Sequence, residues 1–199
     1  MTTSETQIPL PLTPRRPTRA DALRNYERLV GAAREAFAEG GAGTSLEEIA
    51  RRAEVGIGTL YRHFPTRQAL LEAVYIDELE AICKAAAQYA ELPPWQALTA
   101  WLHDLVAYLR TKRALADQLL EYLDRDSGFF TGCRGALIAA GEPLLESAQS
   151  AGAVRGDVSF DDVIMGVSAI GKLPGASPSQ VERVLDVTLD GLRYGAPNG

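Results

Sequence analysis

The 199-residue sequence predicts an all-α protein of about nine helices. Apolar residues recur at helical spacing along most of the chain. No stretch shows convincing two-residue alternation, and there is no internal repeat. Glycine, proline, serine and threonine fall at the ends of the periodic segments, where helices stop and start. The first segment runs from about Asp21 to Glu39, with Leu23, Tyr26, Leu29, Val30, Ala33 and Phe37 as its stripe. Gly40, Gly41 and Gly43 end it. Thr44 with Glu47 three residues on is a capping-box pattern, and Leu46, Ile49, Ala50 and Ala53 then share one face. Glu54-Val55-Gly56 breaks this helix, with Gly56 expected at positive φ. A short helix restarts with Ile57, Leu60 and Phe64 as its stripe, leaving Thr59, Tyr61, Arg62 and His63 on outer or flanking surfaces. Pro65-Thr66 stops it. Two short helices across a tight turn make a helix-turn-helix, whose second helix enters the DNA major groove where that motif binds DNA.

Thr66 suits the N-cap of a long fourth helix reaching about Ala90, with Leu71, Val74, Tyr75, Ile82 and Ala86 facing inward. Pro93-Pro94 separates it from a fifth, Trp95 to about Lys112, striped by Leu98, Leu102, Leu105 and Leu109. Ala114 to Leu123 is a short sixth. A seventh carries Phe129, Phe130, Cys133, Leu137, Leu144 and Ala148, and a kink or break is expected at Gly141 and Pro143. Two more span Phe160 to Leu173 and Pro178 to Arg193.

The net charge of −6 is unevenly spread. Residues 1–67 hold ten arginines against eight carboxylates, and the rest of the chain ten cations against eighteen carboxylates. A slightly basic head on an acidic body is compatible with DNA in a way the net value alone is not. Residues 1–20 are rich in Thr and Pro and read as a disordered arm, either a solvated tail or a source of added DNA contacts through Arg15, Arg16 and Arg19. No apolar run approaches the ~20 residues that span a bilayer, so a cytoplasmic protein without a membrane partner is expected. Cys83 and Cys133 read as reduced core thiols. The two histidines, His63 and His103, fit no metal-ligand spacing, and there is no Cys-x-x-Cys or phosphate loop. Neither a metal, a cofactor nor an enzymatic activity is expected.

The run from Arg24 to about Val74, above all Val55-Gly-Ile-Gly-Thr-Leu-Tyr-Arg-His-Phe-Pro-Thr-Arg-Gln-Ala-Leu70, resembles the DNA-binding domain of the TetR family of transcriptional regulators. The resemblance covers roughly a quarter of the chain. It implies a DNA-binding domain over 21–67 and a helical effector-binding and dimerisation domain over 68–199. It places Thr44 or Ser45, Tyr61, His63 and Arg67 at the phosphate backbone. Ile57, Gly58, Thr59 and Arg62 fall nearest the bases. Chemistry agrees for Tyr61, with its hydroxyl, and for Arg67, whose fork suits phosphate oxygens where many relatives carry Lys. His63 has a second reading as a histidine packed between helices. Gly58 removes a side chain from a groove-facing position.

The resemblance also implies a small-molecule effector enclosed by the fourth to seventh helices. Candidate contacts are Trp101, His103, Tyr108, Tyr122, Phe129, Phe130 and Cys133, although pockets and ordinary cores draw on the same residue types. The last two helices carry the stripes Val163, Ile164, Val167, Ile170 and Val181, Val184, Leu185, Leu189, Leu192, with Gly166 and Thr188 beside them. In the family such a pair meets its copy in a homodimer. The expected protein is a repressor that binds a pseudo-palindromic double-stranded operator as a homodimer and is released by an effector. Two alternatives are a DNA-binding regulator controlled by a protein partner or by abundance, and a helical interaction module that has lost DNA binding.

Overall fold

The computed structural model describes residues 16–40 and 43–195. The expected arm therefore lies outside the described residues up to Arg15, as do Gly41 and Ala42. Regular structure among the described residues is helical throughout, in nine helices: α1 (Ala20–Gly40), α2 (Leu46–Arg52), α3 (Ile57–His63), α4 (Arg67–Tyr89), α5 (Pro94–Thr111), α6 (Arg113–Leu119), α7 (Gly128–Ser150), α8 (Phe160–Gly171) and α9 (Pro178–Arg193). No described helix is long and apolar enough to cross a membrane. The chain forms two compact units, residues 16–79 with 111–130, and residues 80–110 with 131–195.

In the first unit the α1 stripe is buried from Tyr26 to Phe37 and packs on α2, where Ile49 and Ala50 are buried, as is Leu60 of α3. Leu60, Phe64, Leu70 and Leu71 are fully enclosed, and α6 adds Leu115 and Leu119. Burying each such side chain contributes ~1.5–3 kcal/mol, more than a surface ion pair supplies, so packing holds this small unit together. Ile57 departs from the expected stripe. It is the first residue of its helix, beyond the reach of the core, and stands exposed.

Two capping expectations are corrected. Ser45, not Thr44, caps α2: its hydroxyl oxygen accepts from the Glu48 amide at 3.1 Å. Thr44 sits one residue too early to do so, and its hydroxyl donates to the Ala36 carbonyl instead. Gly56 does not take positive φ. It caps α3 in extended conformation, and Glu54 lies in the left-handed region at φ 51°. The amides of Val55 and Glu54 return to the carbonyls of Ala50 and Arg51, a Schellman ending of α2 that requires its left-handed residue at position 54. At the start of α4, Thr66 does act as the cap, its hydroxyl oxygen accepting from the Ala69 amide at 3.1 Å.

In the second unit Trp101 is completely enclosed, its indole nitrogen donating to the Ile82 carbonyl at 2.9 Å. The Phe160 ring lies 5.9 Å away between centroids. Both rings press on Gly141, where a β-carbon would fall 2.2 Å from Phe160 and 2.5 Å from Trp101. This close approach is what Gly141 provides. The break expected there is absent, since α7 runs through Gly141 and Pro143 without interruption. Pro143 and Ala139, whose carbonyl loses its donor, are both exposed, so solvent can serve that carbonyl. α8 begins at a reciprocal capping box of Ser159 and Asp162, and α9 behind Ser177 and Pro178.

The C-terminal stripes also need correction. Val163, Ile164, Val167, Ile170, Val181, Leu185, Leu189 and Leu192 are all buried within their own unit. An amphipathic helix spends its strongest stripe on its own core first. Of the residues expected at a subunit interface, Val184 is exposed, and Gly166 and Thr188 are half-exposed.

Candidate nucleic-acid interface

The first unit presents α3 outward. Tyr61 is 45% exposed and Ile57 39%. Arg62 and Gly58 are exposed as well, with Thr59 half-buried between them. A β-carbon built on Gly58 would meet nothing within 4 Å, so the fold does not require glycine there. Its bareness matters to whatever approaches from outside. Ser45 is also exposed, and because its oxygen accepts from Glu48, its hydroxyl hydrogen is left to donate outward. Thr44 has spent its hydroxyl on Ala36.

The arginines of this unit separate sharply by partner. Arg24 pairs with Asp21, Arg28 with Glu54, and both Arg16 and Arg34 with Asp77. Arg51 and Arg52 both hold Glu48, and Arg52 also reaches Glu39 at 2.7 Å. These two guanidinium groups keep the Glu48 carboxyl ionised, with its pKa lowered to about 2. Among the arginines of the described residues 16–67, only Arg19 and Arg62 make no hydrogen bond or ion pair through the side chain. Arg62 is therefore the arginine that α3 offers, uncommitted, beside Tyr61 and Thr59.

His63 and Arg67 are placed differently. The His63 ring is partly buried, 6.3 Å from Tyr26 and 6.2 Å from Phe64 between centroids. Burial holds its pKa below the ordinary 6.5, so it is neutral at pH 7. It can still offer an N–H donor, but not a cation. Arg67 is turned inward. Its guanidinium donates to the Thr44 carbonyl and, at 3.2 Å, to the Gln118 side-chain oxygen, and it lies 4.9 Å over the Phe37 ring.

The residues expected at an effector fall in both units. In one, Trp101 is core and Cys133 is buried. Tyr108 is half-buried there, and His103 is exposed, 3.8 Å from Asp186. Cys83 and Cys133 are not joined in a disulfide, and the Cys83 thiol donates to the Ala136 carbonyl at 3.6 Å. In the other, Phe129 and Phe130 meet at 5.4 Å, and both rings also pack on Tyr75. Tyr122 is 44% exposed. Beside Tyr75, the ammonium of buried Lys112 sits 3.2 Å from the ring centroid and donates to the Tyr75 carbonyl at 2.8 Å. Sequence reasoning passed over Lys112 and Gln118. The signal for Lys112 was present, because it takes the next place in the Leu98, Leu102, Leu105, Leu109 spacing. No group of His, Cys, Asp or Glu able to hold a metal occurs among the described residues.

Two family models match the chain: bacterial regulatory proteins of the tetR family over residues 29–74, and the C-terminal domain of SbtR-like transcriptional regulators over 93–194. A TetR transcriptional regulator from Streptomyces coelicolor is 38% identical, with 84% of this chain and 98% of that one covered and a TM-score of 0.72. A TetR regulatory protein from Mycobacterium vanbaalenii is also 38% identical, over 89% of this chain and 99% of that one, at a TM-score of 0.73. The fold is shared more distantly by RolR, solved with resorcinol, at 21% identity over 90% and 93% of the two chains and a TM-score of 0.59. With a helix-turn-helix whose second helix stands open to solvent, this chain belongs to the TetR family of bacterial transcriptional regulators.

Proposed function

We propose that the protein is a repressor that binds a pseudo-palindromic operator as a homodimer and leaves it when a small molecule binds. The observation that carries the DNA reading is α3, where Arg62 is uncommitted while most arginines around it are paired. Arg62 and Thr59 read base edges across the opening at Gly58, and Ile57 adds apolar contact in the groove. Tyr61 and Ser45 donate to phosphates, with His63 as a neutral donor. Backbone contacts set register and affinity, and the groove-facing pair sets sequence.

Homodimerisation is supported by an outward strip on α8 and α9. Val187 is 71% exposed and Met165 62%, with Val184 also open. Gly166, Ala169 and Gly191 beside them are small enough for a helix of a second copy to approach closely. A two-fold pair of readers needs half-sites ~34–36 Å apart, so a small change in subunit arrangement is enough to lower affinity. An effector contributes by binding the two arrangements unequally. Phe129 and Phe130, packed on Tyr75, favour a ligand with an apolar or aromatic body, and RolR with resorcinol is a structural relative of that kind. The enclosed, hydrogen-bonded Trp101 favours the other reading, a regulator governed by a partner or by abundance. Selection of duplexes from random-sequence DNA, followed by sequencing, tests the proposal. Enrichment of an inverted repeat supports it, and recovery of no motif rejects operator recognition.

A further inference from the structure

We propose that Arg67 is an internal tie rather than a phosphate ligand, and that Gln118 is a positioning residue for the helix-turn-helix. This goes beyond the operator reading and rests on it for its readout. The guanidinium at the start of α4 gathers three parts of one compact unit: the Thr44 carbonyl just before α2, the Gln118 side chain of α6, and the Phe37 ring of α1. Gln118 is 7% exposed, and its oxygen must face Arg67 because a guanidinium only donates. Thr44 is pinned from its other side as well, its hydroxyl donating to the Ala36 carbonyl at 2.9 Å. The backbone that leads into α2 is thus held at two points. α2 in turn fixes α3 through the turn at Glu54. Both terminal nitrogens of Arg67 are engaged inside the unit, so a phosphate bound there would compete with the joint.

Lysine separates the two roles. A phosphate contact needs charge at one point, which an ammonium supplies. The tie needs a planar fork that reaches two acceptors while stacking on a ring, which an ammonium does not. In the tie, then, Arg67→Lys fails like Arg67→Ala, and Gln118→Ala reproduces the defect without touching any surface that meets DNA.

The test uses the full chain and a labelled duplex enriched from random-sequence DNA by the wild-type protein. Anisotropy titrations over a salt series compare Arg67→Ala, Arg67→Lys, Gln118→Ala, the Arg67→Ala/Gln118→Ala double variant and Arg62→Ala, with thermal melting of each. The expected result is about five- to tenfold weaker binding for each of the three tie variants. The dependence of log affinity on log salt stays as steep as in wild type, and the double variant is no weaker than Arg67→Ala. A slope shallower by about one for Arg67→Ala, with binding kept by Arg67→Lys, would overturn the tie. So would an additive effect of Gln118→Ala. If Arg67→Ala melts below the assay temperature, Arg67→Lys and Gln118→Ala decide the question. Arg62→Ala reports on the DNA reading by itself: wild-type affinity and slope there would sink that reading whatever the tie does.

Discussion

Arg28 of α1 pairs with Glu54, the single non-glycine residue at positive φ among the described residues. A left-handed residue with a β-carbon costs ~1–2 kcal/mol, and an exposed pair returns ~0–1 kcal/mol. Glu54→Gly is therefore expected to raise stability by up to about 1 kcal/mol, read from urea midpoints. Gly56, extended at φ −61° with open space around it, should accept Ala at a cost under about 1 kcal/mol. A large loss on Gly56→Ala, with none of the gain on Glu54→Gly, would mean the turn is placed wrongly.

Substitutions on α3 should separate affinity from sequence choice. Tyr61→Phe removes a hydroxyl and is expected to weaken all duplexes alike. Arg62→Ala is expected to weaken the preferred duplex more than others, by about 1–3 kcal/mol of discrimination. Competition titrations against a single-base variant series measure both. Uniform weakening by Arg62→Ala would assign that guanidinium to phosphate instead.

A charge on the outward strip of α9 should break assembly without breaking the fold. Val187→Glu is expected to sediment as a monomer while melting as a folded protein, because the position is 71% exposed in the protomer. Leu189→Glu, two residues on and 5% exposed, should unfold the unit. A Val187→Glu variant that remains a dimer at micromolar concentration would move the interface elsewhere.

His63 should give the reader an acid limit. Its folded pKa lies below 6.5 because burial disfavours the charged ring. The unfolded chain then binds the proton first, so the contribution is complete above pH 6.5 and is lost as pH falls through 6.5 toward the lower folded value. His63→Gln should flatten melting temperature against pH across that window. An unchanged profile would assign the slope to other groups.

The helices were legible because their signals are local. The stripe of α1, the proline and glycine stops, and the serine and threonine starts act within a few residues of one another. What was not legible depended on partners far away in sequence. That Arg67 faces inward is decided in part by Gln118, 51 residues on. That Gly141 makes room rather than a break is decided by Trp101 and Phe160. The C-terminal stripes show the same limit from another side. Periodicity finds an apolar face, but only the packed structure says whether the face meets its own chain or remains open, as at Met165 and Val187. The left-handed residue was misplaced for a subtler reason: glycine carries the weakest steric objection to that conformation, but the hydrogen-bond closure of α2 demanded it two residues earlier.

Arg51 and Arg52 are already satisfied by Glu48 and Glu39, and this bears on how the protein searches a chromosome. Affinity for random sequence grows with the number of cations free to displace counterions from phosphate. A reader that neutralises its own arginines adheres little to the great excess of wrong sites. It spends less time stalled between encounters, and occupancy of the right site then depends on a few directed contacts.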